Sequence, residues 1–195
     1  MNSQDFEFVS QLLRKRAGIV LTGDKMYLLE SRLAPLARKE GLPSIDDLIH
    51  VVRARREERL IGQLVDVMTT NETFFFRDKT PFDHLKDAIF PVLAQARKGS
   101  RIRIWCAACS TGQEPYSIAM MLDQNPSLTG GVPVEIVATD ISDRCLERAR
   151  QGLFTQFEVQ RGLPVLHFDG TSGQQQGRRE RRAVPQAAAC RHRAI

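Results

Sequence analysis

The stretch Ile102-Arg-Ile-Trp-Cys106-Ala-Ala-Cys109-Ser-Thr-Gly112-Gln-Glu-Pro-Tyr116 decides the fold. It opens as an apolar-alternating strand over residues 101–106, after the turn signal Lys98-Gly99-Ser100. Small residues from Ala107 to Gly112 follow, and then the helical run Ser117-Ile-Ala-Met-Met-Leu122. A strand, a small-residue loop and a helix in this order open a nucleotide-binding βαβ unit. Small side chains let a ligand approach the backbone, and the helix N-terminus offers N–H donors at the positive end of its dipole. A second strand, Val134-Glu-Ile-Val-Ala-Thr139, ends in Asp140. In such units an acidic residue at that place accepts hydrogen bonds from ribose hydroxyls. The loop has no G-x-G-x-x-G, which argues against a dinucleotide and for a smaller adenosine ligand.

Cys106 and Cys109 form a C-x-x-C directly after the strand, which raises redox and metal chemistry. A zinc site needs a second ligand pair at suitable spacing, and Cys145 and Cys190 do not supply one, so no metal is expected. Small buried thiols are the expectation for the pair. Upstream, Thr69-Thr-Asn71-Glu-Thr73-Phe-Phe-Phe-Arg77-Asp78 interleaves polar with aromatic residues. Core packing accounts for at least two of the three phenylalanines. It does not account for Asn71, Thr73 and Arg77.

These residues, together with the Trp105-to-Tyr116 stretch and Ala138-Thr-Asp-Ile141, resemble in order and spacing the CheR-type chemotaxis receptor methyltransferases. That resemblance implies S-adenosylmethionine as cofactor and glutamates on chemoreceptor cytoplasmic helices as substrate. It implies an all-helical N-terminal domain followed by a Rossmann-like α/β methyltransferase domain. Carried over residue by residue, it places Asn71, Thr73, Arg77, Glu114 and Asp140 around the cofactor. Arg77 would pair with the carboxylate of the methionine moiety, a charge-assisted contact suited to its planar fork, unless it serves a structural ion pair instead. For Glu114 the alternative is a helix N-terminal residue that favours the dipole. No catalytic acid or base is nominated.

The first 70 residues read as a helical domain. A helix over 4–17 carries Phe8, Val9, Leu12 and Leu13 on one face. A second, over 25–39, contains Pro35, which should kink or interrupt it. Ser44 can cap a third, and residues 60–68 form a fourth. Lys25, Arg32 and Lys39 recur every seven residues on one face of the second helix, while Arg38 lies elsewhere. Pattern alone reads them as a solvated charged face. In the family this helix is basic and faces the acidic methylation region of the receptor, which makes Lys25, Arg32 and Arg38 the candidate partner contacts. Residues 82–96 form a further helix with a kink expected at Pro91, and 142–151 another.

The resemblance is expected to stop at Val165. Residues 71–165 then make a partial cofactor-binding domain, and 166–195 an aberrant, disordered basic tail from a truncated or frameshifted reading frame. No further strand is expected there, and such a chain is expected to be a poor methyltransferase. The alternatives are a non-catalytic remnant that still binds receptors, or a basic nucleic-acid adaptor. The chain carries +5, but residues 166–195 hold six Arg against one Asp and one Glu, leaving +1 for the remainder. Basic character confined to a tail, with no accompanying motif, argues against specific nucleic-acid binding. No apolar run nears the ~20 residues of a membrane span, and no signal-peptide pattern opens the chain, so a cytoplasmic location is expected.

Overall fold

The computed structural model describes residues 1–163 and the backbones of two later strands, Arg182–Ala183 and Cys190–Ala194. The chain divides into two compact units, Met1–Thr70 and Asn71–Ile195.

The first unit is all helical: α1 (Ser3–Ala17), α2 (Met26–Lys39), α3 (Ile45–Arg55) and α4 (Glu58–Met68). Two of these helices open on a side-chain cap. Asn2 caps α1 by accepting from the Asp5 N–H at 2.8 Å, and Gly18 closes it in the left-handed region at φ 67°. Ser44 caps α3 through the Asp47 N–H. Val9, Leu13, Leu29, Leu33, Leu48, Ile49 and Leu64 meet in one core. The kink expected at Pro35 does not interrupt α2, which runs through it. Pro35 and Ser31, whose carbonyl would otherwise receive the missing donor, both lie on the exposed face, where water can replace the lost bond.

In the second unit the expected kink at Pro91 takes a definite form. Helix α5 (Lys79–His84) passes through a π-helical turn, Leu85–Ile89, into α6 (Phe90–Ala96). The wider turn falls just ahead of Pro91, which can neither donate to the preceding turn nor fit its ring against it. Strand β1 (Ile102–Ala107) then leads through the small-residue loop into α7 (Gln113–Gln124). Strand β2 (Val134–Asp140) lies parallel to β1, with Ile102 opposite Val134 and Ala107 opposite Thr139. Helix α8 (Asp143–Gln151), strand β3 (Leu153–Phe154) and α9 (Gln156–Gln160) follow.

Ile102, Cys106, Ile136, Ala138, Ile118, Met121 and Leu146 join sheet to helices in one core. A smaller cluster sets Phe75 against Phe154 edge-to-face at 4.9 Å, with Tyr116 beside it. Cys106, Cys109 and Cys145 are buried as thiols.

The expectation of no strand after Val165 is corrected. The backbone of β4 (Arg182–Ala183) pairs antiparallel with β3, and that of β5 (Cys190–Ala194) pairs parallel with β2, giving the order β1-β2-β5. An open strand edge offers unpaired N–H and C=O groups to any extended backbone, so pairing there needs no apolar alternation in the incoming sequence. The disorder expected of the remaining tail falls on residues outside those described.

Candidate functional site

The loop between β1 and α7 is built on left-handed backbone. Ala108 has φ 58°, Ser110 φ 50° and Gly112 φ 97°. At Gly112 the requirement is double, since an added Cβ would meet the Ala149 Cβ at 3.0 Å on α8 as well as adopt a strained φ. These turns bring the Cys109 N–H to the Thr139 carbonyl and the Ser110 N–H to Asp140 Oδ2, at 2.9 and 2.7 Å. Helix α7 begins at Gly112 with no side-chain cap, leaving its N-terminal dipole directed at the loop.

Asp140 ends β2 and is 4% exposed. Its Oδ2 accepts from Ser110 and its Oδ1 from the Ser142 N–H at 2.9 Å. A carboxylate offers about four acceptor positions, so two backbone donors leave about two for a ligand diol. Asn71 is half-buried, and its carbonyl accepts from the Ser110 hydroxyl at 2.9 Å. The 71–77 segment, the small-residue loop and the end of β2 therefore meet at Ser110.

Asn71 and Thr73 also line a cleft of about 310 Å³ with Thr111 from the loop, Gln113 from the first turn of α7, and Arg144 and Arg148 from α8. That volume is at the lower end for a small-molecule site. The other sequence candidates lie elsewhere. Glu114 is exposed in the first turn of α7. The exposed Arg77 donates to the Glu72 carbonyl at 2.8 Å and stands 3.9 Å from the Asp78 carboxylate, an ion pair too long and too solvated to hold it firmly. It faces the Phe74 ring at 5.8 Å, while Arg161 stacks on the same ring at 4.8 Å. Arg161 also pairs with Glu72 at 2.7 Å, and its guanidinium, with help from Arg77, holds the Glu72 carboxyl below the usual range.

Of the partner candidates, Lys25 is exposed and paired with Asp24 at 3.1 Å, and Arg38 is exposed on α2. Arg32 turns inward instead. Its Nη1 donates to the Met68 and Thr69 carbonyls at 2.8 and 3.2 Å, satisfying the end of α4. Ser110, Ser117, Gln113 and Arg161 received no role from sequence. The first three stand inside or beside the motif, where their small or polar type was the only signal; Arg161 had none.

A parallel strand, a small-residue turn, an uncapped helix and an acid closing the next strand define the nucleotide-binding class of α/β domain. Comparison with known proteins narrows the class. A family model described as the CheR methyltransferase SAM-binding domain matches residues 71–186, and one described as the CheR methyltransferase all-alpha domain matches residues 4–69. The chain belongs to the CheR methyltransferase family.

It is 43% identical over 162 residues to chemotaxis protein methyltransferase 1 of Pseudomonas aeruginosa, covering 82% of this chain and 59% of that protein. It is 44% identical over 165 residues to a chemotaxis protein methyltransferase of Vibrio parahaemolyticus, covering 84% and 59%. Against the Escherichia coli protein the identity is 32% over 164 residues, covering 84% and 55%. The chain thus spans less than two thirds of the length of these curated relatives. The family match runs to residue 186, past the Val165 at which the sequence reading has it end.

Proposed function

We propose that this chain binds S-adenosylmethionine and belongs to an enzyme that methylates glutamate side chains on the cytoplasmic helices of chemoreceptors, working in the cytoplasm. The family description and the printed names of the relatives support the activity. The observation that carries the site is the meeting at Ser110 of the Asn71 carbonyl and the Asp140 carboxylate, beside an uncapped helix N-terminus. No helix among the described residues is long and apolar enough to cross a membrane.

The residues fit an adenosyl ligand on chemical grounds. Asp140 would hold the ribose hydroxyls with its remaining acceptor positions. Small residues 107–112 would admit the ligand against the backbone. Arg77, held by one backbone carbonyl and a loose ion pair, can be redirected to a carboxylate. Asn71, Thr73 and Glu114 would supply further polar contacts, and Lys25 and Arg38 would face acidic receptor helices. When bound, S-adenosylmethionine supplies a methyl group activated by its sulfonium. The accepting glutamate is already ionised at neutral pH with a pKa near 4.3, so the protein needs no general base. Its task is to exclude water, because nucleophile and sulfonium both lose charge on the way to the transition state, and to align the two.

The test is transfer of labelled methyl to a receptor cytoplasmic fragment. The expected product is a glutamate methyl ester, whose label is released as methanol by mild alkali. Cofactor binding without any transfer would leave a receptor-binding or cofactor-binding remnant as the better description.

A further inference from the structure

Residues 71–77 lie outside any helix or strand, and the segment still has to hold its candidate side chains in place. A stretch with no ladder of its own must find hydrogen-bond partners outside itself. Two buried hydroxyls provide them at its two ends. The Ser110 Oγ, on a residue 6% exposed, donates to the Asn71 carbonyl at 2.9 Å. The Ser117 Oγ, on a residue 0% exposed, accepts from the Phe76 N–H at 2.9 Å and donates to the Gln113 carbonyl at 2.6 Å. Between them Phe75 is 0% exposed and pins the segment to Phe154.

Each hydroxyl is committed in a direction only a hydroxyl can satisfy. Ser117 must accept and donate at once, bridging the first turn of α7 to the Phe76 backbone. Ser110 adopts φ 50° and offers both its backbone N–H, to Asp140, and its hydroxyl, to Asn71. The left-handed φ is held with both donors of the residue engaged.

We infer that Ser110 and Ser117 are positioning residues that set the pose of residues 71–77 against Asp140, and through it the affinity for the adenosyl ligand. The inference rests on the proposed cofactor site. Without the Ser117 hydroxyl the Phe76 N–H loses its bond to α7, and without the Ser110 hydroxyl the Asn71 carbonyl loses its bond to the loop.

Two readouts on the full chain test this: hydrogen exchange over residues 71–77, and titration with S-adenosylhomocysteine. Ser117→Thr keeps the hydroxyl, and Ser117→Val has nearly the same volume without it. A packing role would treat the two alike. Positioning predicts near-native protection and affinity for Ser117→Thr, with faster exchange and a roughly 3–10-fold weaker affinity for Ser117→Val. Ser110→Gly relieves the strained φ while removing the hydroxyl, so weaker binding in that variant cannot be blamed on backbone strain. Equal behaviour of Ser117→Thr and Ser117→Val overturns the inference, as does lost protection with unchanged affinity. If the unsubstituted chain binds no S-adenosylhomocysteine, the cofactor reading falls, while the exchange pattern still decides whether the serines hold the segment.

Discussion

Asp140 shows how one carboxylate joins two segments of the chain. Its carboxylate receives the N–H groups of Ser110 and Ser142 and so ties the loop after β1 to the start of α8. Asp140→Ala is expected to weaken S-adenosylmethionine binding by about 1–3 kcal/mol, through lost ribose contacts and a loosened loop. Isothermal titration of the folded variant is the check; native affinity would remove Asp140 from the site. Arg77→Lys should also weaken binding, because lysine keeps the charge and loses the planar fork. An unaltered affinity there would mean that Arg77 serves only its local contacts with Glu72 and Asp78. Asp140 was legible in sequence as a candidate because its position at a strand end has a chemical meaning by itself. Ser110 and Ser117 were not, since nothing in a serine's identity reveals which distant backbone group it meets. The bonds made by Arg32 were hidden for a related reason: heptad spacing says which face it shares, and the Met68 and Thr69 carbonyls it meets are 36 and 37 residues away.

Helix α9 shows the same dependence at the scale of an element. Only Gln156–Gln160 long, it holds together through a capping box in which the Thr155 and Glu158 side chains each bond the other's backbone. Burial raises the Glu158 carboxyl, but the Thr155 N–H and hydroxyl and the Arg148 guanidinium together outweigh it and hold the group below its ordinary value of 4.5. A carboxylate depressed on folding contributes stability above its unfolded value and loses it as pH falls through the folded one. Glu158→Gln should therefore be less stable than the native chain near neutrality, and the two should converge as pH drops from about 6 to about 3. Urea midpoints across that range measure the gap, and a gap that does not change with pH would contradict the assignment. Sequence periodicity found the long helices within a few residues of their ends. It missed the passage of α2 through Pro35 and the π-helical turn ahead of Pro91, because exposure and hydrogen-bond re-pairing decide how a proline is absorbed.

At the scale of the whole molecule, an all-helical unit and an α/β unit follow one another along the chain, and the family models match both in turn. The order of motifs carried this division in sequence, since each motif is short, local and chemically distinctive. The strand pairing of Cys190–Ala194 was not legible, because backbone pairing leaves little trace in a polar sequence. The central claim is that residues 71–140 of this chain form a site for S-adenosylmethionine. Calorimetric titration of the full chain with S-adenosylmethionine tests it most directly. Saturable binding of one ligand per chain, competed by S-adenosylhomocysteine and weakened by Asp140→Ala, is the predicted result. A folded chain that gives no saturable binding, or that binds equally well with Asp140 replaced, would contradict it.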